Sequence, residues 1–273
     1  MSLDSFAHLY EEATIDIVRH MTQRTLDGHF PPLRSDMTIL DLACGSGAVT
    51  RAIYERCEAQ GLKPPKIFGL DIGPNFIDTF NENKAVRHWD TAEGIACDAP
   101  NMEMFSDSTF DIVIMSFGLF AVKDADANKA AAEIHRVLKP GGQAAFTTWR
   151  ETWVERMFTG ANAAVGRPRE EIERFTVGKW LKMKVARDVL LAGGFEPRKL
   201  QHSTLDDQFS FSNTVEILNR FDTPFWRGVG TDTWTDDQKT RWRSEVEKLI
   251  TDNEKAKGAL PVNAWLFVAE KYK

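Results

Sequence analysis

The chain is poor in cysteine: among 273 residues only Cys44, Cys57 and Cys97 occur, none in a C-x-x-C pair. So few, so spaced, they argue against a disulfide framework or a zinc site and for a reducing, cytoplasmic compartment. Basic residues are not in excess. Thirty-four Lys and Arg stand against 40 Asp and Glu, a net charge of −6 and a pI near 5.6. That balance offers no basic face for nucleic acid and no polybasic patch for anionic lipid, so neither nucleic acid nor membrane is expected as a partner. No apolar run approaches the roughly 20 residues a membrane helix needs. The opening MSLDSFAHLYEEATIDIV lacks a basic segment followed by an apolar one and does not read as a secretory signal. Internal repeats and low-complexity tracts are also missing. What remains, 42% hydrophobic and 27% charged residues, is an ordinary globular composition. The length builds a core without staples, as a monomer or a homodimer.

Periodicity divides the chain. In residues 1–32, Phe6, Leu9, Tyr10, Ile15, Ile17 and Val18 recur at helical spacing, and Pro31-Pro32 ends that N-terminal helical cap. Short apolar runs at Met37–Leu42, Ile67–Leu70, Ile95–Cys97, Phe110–Phe117 and Gln143–Trp149 then alternate with helical stretches at Ala48–Gln60, Pro74–Asn83 and Asn128–Leu138. Strands that are apolar throughout and alternate with helices imply a parallel sheet covered on both faces, an α/β fold. Residues 37–149 form this core, which the loop after its first strand makes the cofactor-binding part of the chain. Over 150–260 the alternation breaks: helices are expected at Trp153–Val165, Leu181–Ala192 and through most of Ser212–Lys257, with a sixth strand at Phe195–Leu205. Thr235 before Asp236 and Asp237 is a helix N-cap. These helical insertions are expected to form a lid over a site at the strand ends. Residues 262–271 form the last strand.

The segment Ile39-Leu40-Asp41-Leu42-Ala43-Cys44-Gly45-Ser46-Gly47 carries the chemistry. A strand runs into a glycine turn that opens a helix, and ligands of open α/β sheets bind at such carboxyl ends. Gly45 and Gly47 let a ligand approach the backbone. A dinucleotide loop of the form G-x-G-x-x-G fails at Thr50, and no Lys-Ser/Thr pair marks a phosphate loop. Asp41 would repel a pyrophosphate but suits a cationic ammonium group. Asp71, at the end of the second strand, can accept hydrogen bonds from two ribose hydroxyls. Asp98, after the third, can accept one from an adenine amino group. Acids for an amine, a ribose and an adenine, without a phosphate site, describe S-adenosylmethionine (SAM).

Four motifs, LDLACGSG, GLDIGPNFI, CDAPNMEMFSDSTFDIVIMSFGL and EIHRVLKPGGQAAFTTW, stand in order over about residues 37–150. On these the chain resembles class I SAM-dependent methyltransferases of the ubiquinone/menaquinone-biosynthesis type. The resemblance implies a Rossmann-like, mostly parallel sheet whose seventh strand is antiparallel, with SAM as cofactor. By position it places Ala43, Gly45 and Gly47 on the methionine part of SAM, Asp71 on the ribose and Ile72 on the adenine face. Asn75 joins this cofactor set, Asp98 and Ala99 hold the adenine amino edge, and Ser116 and Phe117 sit by the sulfonium. A narrower resemblance rests on GAV after the glycine turn, SFGLF, TTW and PFW…WTDDQ. It is to fungal secondary-metabolite methyltransferases such as the dithiol methyltransferase that caps gliotoxin, and it suggests a thiol acceptor.

Methyl transfer needs positioning and exclusion of water; a general base is required only when the nucleophile keeps its proton near neutrality. Of the six histidines, His135, His88, His202, His29 and His20 read as structural or surface groups. His8, on the N-terminal helix, is the one weak candidate base, and Tyr10 is placed to bond the SAM carboxylate or the acceptor. Gly118–Val122, after the fourth strand, is apolar. It suggests an acceptor pocket lined by Phe120, Trp149, Trp153, Phe225 and Trp226, and catalysis by proximity. The alternatives are O- or N-methylation of a small molecule, a cyclase using SAM as a charged prop, or a regulator on the same scaffold.

Overall fold

The computed structural model describes residues 3–150, 153–168, 178–227 and 234–272; the side chains of 3–15 and of Val154, Phe158, Pro224 and Phe225 lie outside that description. Its centre is a single sheet. The strands β1 (Thr38–Leu42), β2 (Lys66–Asp71), β3 (Ala92–Ala96), β4 (Phe110–Ser116) and β5 (Leu138–Trp149) are parallel; β6 (Leu200–Ser210) and β7 (Ala259–Glu270) complete it. Their order is β3-β2-β1-β4-β5-β7-β6, with β7 antiparallel to both neighbours. This is the Rossmann-like α/β arrangement.

Strand alternation sorts the core into two layers. Ile39, Ile112 and Ile114 face one side, with α1 (Leu3–His29), α2 (Ala48–Ala59) and α3 (Pro74–Arg87). Leu40, Leu42, Val113 and Met115 face the other, with α4 (Ala127–Val137) and α6 (Met183–Ala192). Because both faces are covered, the central strands read as unbroken apolar runs. From β1 the chain turns outward to β2 and β3, then returns across β1 to β4. The crevice at that reversal, beyond the carboxyl ends of β1 and β4, is where such sheets bind ligands.

Contact between α4 and α6 is closest at Gly193, just past α6. A Cβ there would stand 2.4 Å from the Ala131 Cβ and 2.7 Å from its carbonyl carbon. Backbone cannot yield as a side-chain tip does, so Gly193→Ala is expected to destabilise the fold by at least about 2 kcal/mol. A denaturant titration giving a loss under about 0.5 kcal/mol would refute the tight helix packing.

Several boundaries differ from the sequence expectation: β3 begins at Ala92, not Ile95, and β7 at Ala259, not Val262. β5 starts at Leu138, with Lys139–Gly142 spanning a register shift between Phe110 and Ile112; Pro140 is tolerated at such a bulge because no ladder donor is needed there. β6 lies at 200–210, not 195–205. Phe195 is buried instead against Phe146 and His135, Pro197 offers no ladder donor, and pairing with β7 carries the strand through Asp206–Gln208. α3 runs on to Arg87, capped by left-handed His88.

The helices after β5 extend the core layer that holds α1, α2 and α3. In α5 (Trp153–Ala164), Trp153, Met157 and Ala161 are buried in one cluster with Ile217, Leu218 and Phe221 of α7 (Thr214–Phe221). Trp226 of the short α8 (Pro224–Arg227) and Trp242 and Val246 of α9 (Asp236–Leu249) belong to the same cluster. α10 (Asp252–Lys257) leads into β7. Both α9 and α10 begin with a capping box, at Thr235 and Thr251.

Candidate active site

A cavity of about 360 Å³ opens at the crevice, within the size range of small-molecule pockets. Its floor is the turn after β1. Ala43 (φ 55), Gly45 (φ 52) and Gly47 (φ 98) all take left-handed backbone. Gly45 lines the cavity, and a Cβ built on it meets nothing within 4 Å. A side chain there would therefore be strained and would project into open space, which fits a backbone reserved for close approach of a ligand. Gly47 serves a different purpose: its Cβ would stand 2.6 Å from the Trp89 ring, so it lets the turn pack on that aromatic and does not reach the cavity.

Two non-glycine residues with positive φ, Ala43 and Phe117 (φ 54), end β1 and β4 and both line the cavity. Such conformations cost about 1–3 kcal/mol each and persist only where surroundings enforce them. Phe117 donates its N–H to Thr147, at 3.1 Å to the carbonyl and 3.0 Å to Oγ1. Its ring stacks on Trp149 with centroids 3.9 Å apart. Ala43 is held by the missing side chain of Gly118, whose Cβ would lie 2.5 Å from the Ala43 Cβ.

Two carboxylates lie at the turn. Asp71 ends β2, lines the cavity and bridges two loops: Gly45 N–H donates to Oδ2 at 3.0 Å and Gly73 N–H to Oδ1 at 2.9 Å. Each oxygen keeps a lone pair for a ligand hydroxyl. Burial pushes its carboxyl up, while the N–H groups of Gly73, Gly45 and Ile72 pull it down. Asp41 is fully buried behind the turn and does not line the cavity. Its Oδ2 accepts from the Thr50 N–H at 3.0 Å and the Thr50 hydroxyl at 2.7 Å, which satisfies a donor in the first turn of α2. Oδ1 has no partner among the described residues. Burial drives this carboxyl up to about 7, against the Thr50 bonds, with neighbouring Asp71 adding to the rise. The ammonium contact expected of Asp41 therefore gives way to a place beneath the turn.

The cavity gathers Ala43, Gly45, Asp71, Ile72, Asp98, Ala99, Ser116, Phe117 and Phe120. Ile72 is 67% exposed, and Ser116 Oγ shares a hydrogen bond of 2.9 Å with Thr147 Oγ1. Asn75 stays outside, its carbonyl accepting from Thr79; the first turn of α3 presents Phe76 instead. Trp149 stands behind Phe117. Trp153 and Trp226 are in the core extension beyond β5, packed on Phe221 at 4.7 and 4.8 Å, because aromatics on those helices bury against each other. No described residue of 150–260 lines the cavity. Phe225, His8 and Tyr10 have side chains outside the described residues.

Sequence reasoning did not single out Lys123 and Asp126, which line the cavity past the 3₁₀ turn Leu119–Ala121, nor Cys97 and Pro100 as cavity residues. The V-K-D-A-D run following an apolar strand end was the available signal. Among the described residues no histidine lines the cavity, none group into a metal site, and no helix is long and apolar enough to cross a membrane.

Residues 39–142 match the methyltransferase domain family. A 2-phytyl-1,4-naphtoquinone methyltransferase from Nostoc punctiforme is 31% identical over 132 residues, 48% of this chain and 54% of that protein. A ubiquinone/menaquinone biosynthesis C-methyltransferase from Hydrogenovibrio crunogenus is 37% identical over 117 residues, 41% of each chain. In these matches the chain spans about half the length of the curated relatives or less. Among solved structures, phosphoethanolamine N-methyltransferase 2 of Haemonchus contortus in complex with S-adenosyl-L-methionine superposes with a TM-score of 0.58 at 18% identity. The match covers 99% of this chain and 57% of that one, a likeness of fold.

Proposed function

We propose that this chain, whose residues 39–142 match a methyltransferase domain, is of the class I SAM-dependent kind and transfers a methyl group from SAM to a small apolar acceptor. The observation that carries this is a single cavity where the glycine turn and Asp71 meet an apolar wall of Phe117, Phe120, Ala121 and Val122. SAM supplies a methyl group already activated on a sulfonium. The chain's own residues bind and orient. Gly45 leaves room for the methionine part, Asp71 accepts the ribose hydroxyls, Ile72 and Ala99 enclose the adenine and Asp98 takes its amino edge. Ser116 and Phe117 stand where β4 ends, and Phe120 with Val122 keeps water from the acceptor, which favours transfer.

The named relatives act on quinones, and the Phe117–Trp149 stack, 3.9 Å between centroids, suits a flat ring; a quinol-type acceptor comes first. A thiol is the second reading, favoured by the lack of a lining histidine, since a thiol with a pKa of about 8.5 ionises partly unaided. Incubation with methyl-labelled SAM and either reduced naphthoquinones or small dithiols is expected to give a labelled product and one S-adenosylhomocysteine per turnover. Product without S-adenosylhomocysteine would point to a cyclase, and absence of SAM binding to a scaffold regulator.

Asp41 makes affinity depend on pH. Its carboxyl is raised to about 7, so the empty fold loses stability as pH climbs from about 4 through 7, where Asp41 must ionise in the folded state but is already ionised in the unfolded one. A cationic ligand favours the ionised form. SAM affinity is expected to rise roughly tenfold between pH 5.5 and 7.0 with release of a proton, and Asp41→Asn to abolish that slope. Calorimetry in buffers of different ionisation enthalpy checks it; affinity flat across this range in the wild type would refute the linkage.

A further inference from the structure

The wall that carries Asp98, Ala99 and Pro100 belongs to a segment, residues 97–109 between β3 and β4, that has no helix or strand of its own. Two tight turns, Asn101 N–H to Asp98 O and Phe105 N–H to Met102 O, leave other backbone groups to be satisfied from elsewhere. Backbone carbonyls of Asp71, Arg136 and Val137 take the N–H groups of Cys97, Ser108 and Thr109, and the middle of the segment is met by one side-chain pair on α4. Arg136 donates from Nη2 to the Met102 carbonyl at 3.0 Å and from Nη1 to the Phe105 carbonyl at 2.8 Å. Its remaining three N–H groups go to both oxygens of Glu133, at 2.7 and 2.8 Å, and to Asp107 at 2.9 Å. All five donors of the guanidinium are thus used in its fixed fork. Glu133 Oε2 in turn accepts the Met102 N–H at 2.9 Å. Arg136 pulls the Glu133 carboxyl below the usual range, so the pair stays charged at neutral pH.

We propose that Arg136 and Glu133 are positioning residues for the cofactor: they fix the 98–100 wall from behind, setting both SAM affinity and the preference for adenine over other bases. Neither residue lines the cavity. The proposal deepens the methyltransferase reading and rests on it. Lysine cannot replace Arg136, because a single ammonium cannot span two carbonyls and a carboxylate in one plane. The apolar anchors Met102 and Phe105, buried beside Phe68 and Phe110, keep the segment attached when the strut is cut. The wall is then loosened, and the fold survives.

The test is binding of S-adenosylhomocysteine and of its inosine analogue, measured by calorimetry on the full chain and on Arg136→Lys and Glu133→Gln. Val246→Ala, in the core between α5 and α9, serves as an equally destabilised reference. Each strut variant is expected to weaken S-adenosylhomocysteine about tenfold while its preference over the inosine analogue falls by a similar factor, with acceptor KM unchanged; carbonyls left unsatisfied at Met102 and Phe105, just behind the wall, have this scale of effect. Val246→Ala should lower the melting temperature and leave the preference intact. Wild-type affinity and preference in both strut variants would overturn the positioning role. A wild-type chain that binds neither nucleoside would overturn the methyltransferase reading itself, and this one with it.

Discussion

Asp71→Ala is expected to raise the dissociation constant for SAM by at least about 100-fold, from the loss of the two charge-assisted hydrogen bonds proposed to ribose. The same change frees the Gly45 and Gly73 N–H groups that Asp71 holds at 3.0 and 2.9 Å, so the turn that must face the methionine part loses its tie to β2. Asp71→Asn is not a mild substitute. Its amide nitrogen would point a donor at one of those two N–H donors, and a loss of about tenfold or more is expected. The fold should survive both changes. Burial already pushes this carboxyl up, so removing it relieves a desolvation cost. Calorimetric titration together with thermal melting separates the two effects. An unchanged affinity in Asp71→Ala, with the protein folded, would sink the proposed placement of the cofactor.

Much of the route from β1 to that carboxylate was legible without coordinates. A strand buried on both faces must be apolar along its length, so Ile39–Leu42 and Phe110–Phe117 announced themselves, and the glycines after β1 marked the turn between them. Acids at strand ends were legible for the same reason: Asp71 and Asp98 interrupt apolar runs where a buried strand has no use for charge, and both line the cavity. Asp41 misled because sequence shows that an acid sits by the turn, not which way it faces. The Thr50 donors turn its carboxylate toward α2. Asn75 failed by one position, since the first turn of α3 rotates Phe76 to the cavity. The strut from Arg136 was invisible: its partners are carbonyls more than thirty positions upstream, and backbone acceptors leave no mark on sequence. The aromatics after β5 carried the largest error, as an aromatic on an amphipathic helix looks alike whether it covers a ligand or another helix.

Trp153 decides that last ambiguity by experiment. It is 1% exposed, its ring lies against Phe221 at 4.7 Å, and Phe221 meets both Phe209 and Trp226 edge-on. Truncation to alanine would open a cavity at the centre of this cluster, at a cost of about 3–5 kcal/mol. For a chain of this length that corresponds to a fall of about 10 °C in melting temperature. The indole N–H has no acceptor among the described residues. Trp153→Phe keeps a six-membered ring against Phe221 and should cost less than Trp153→Ala. SAM affinity in both variants is expected to stay within about twofold of wild type, because substitutions far from a site with no shared partners act independently. An acceptor-pocket residue would behave in the opposite way, with melting temperature held and acceptor KM raised. That pattern in Trp153→Ala would return the helix α5 to the active site.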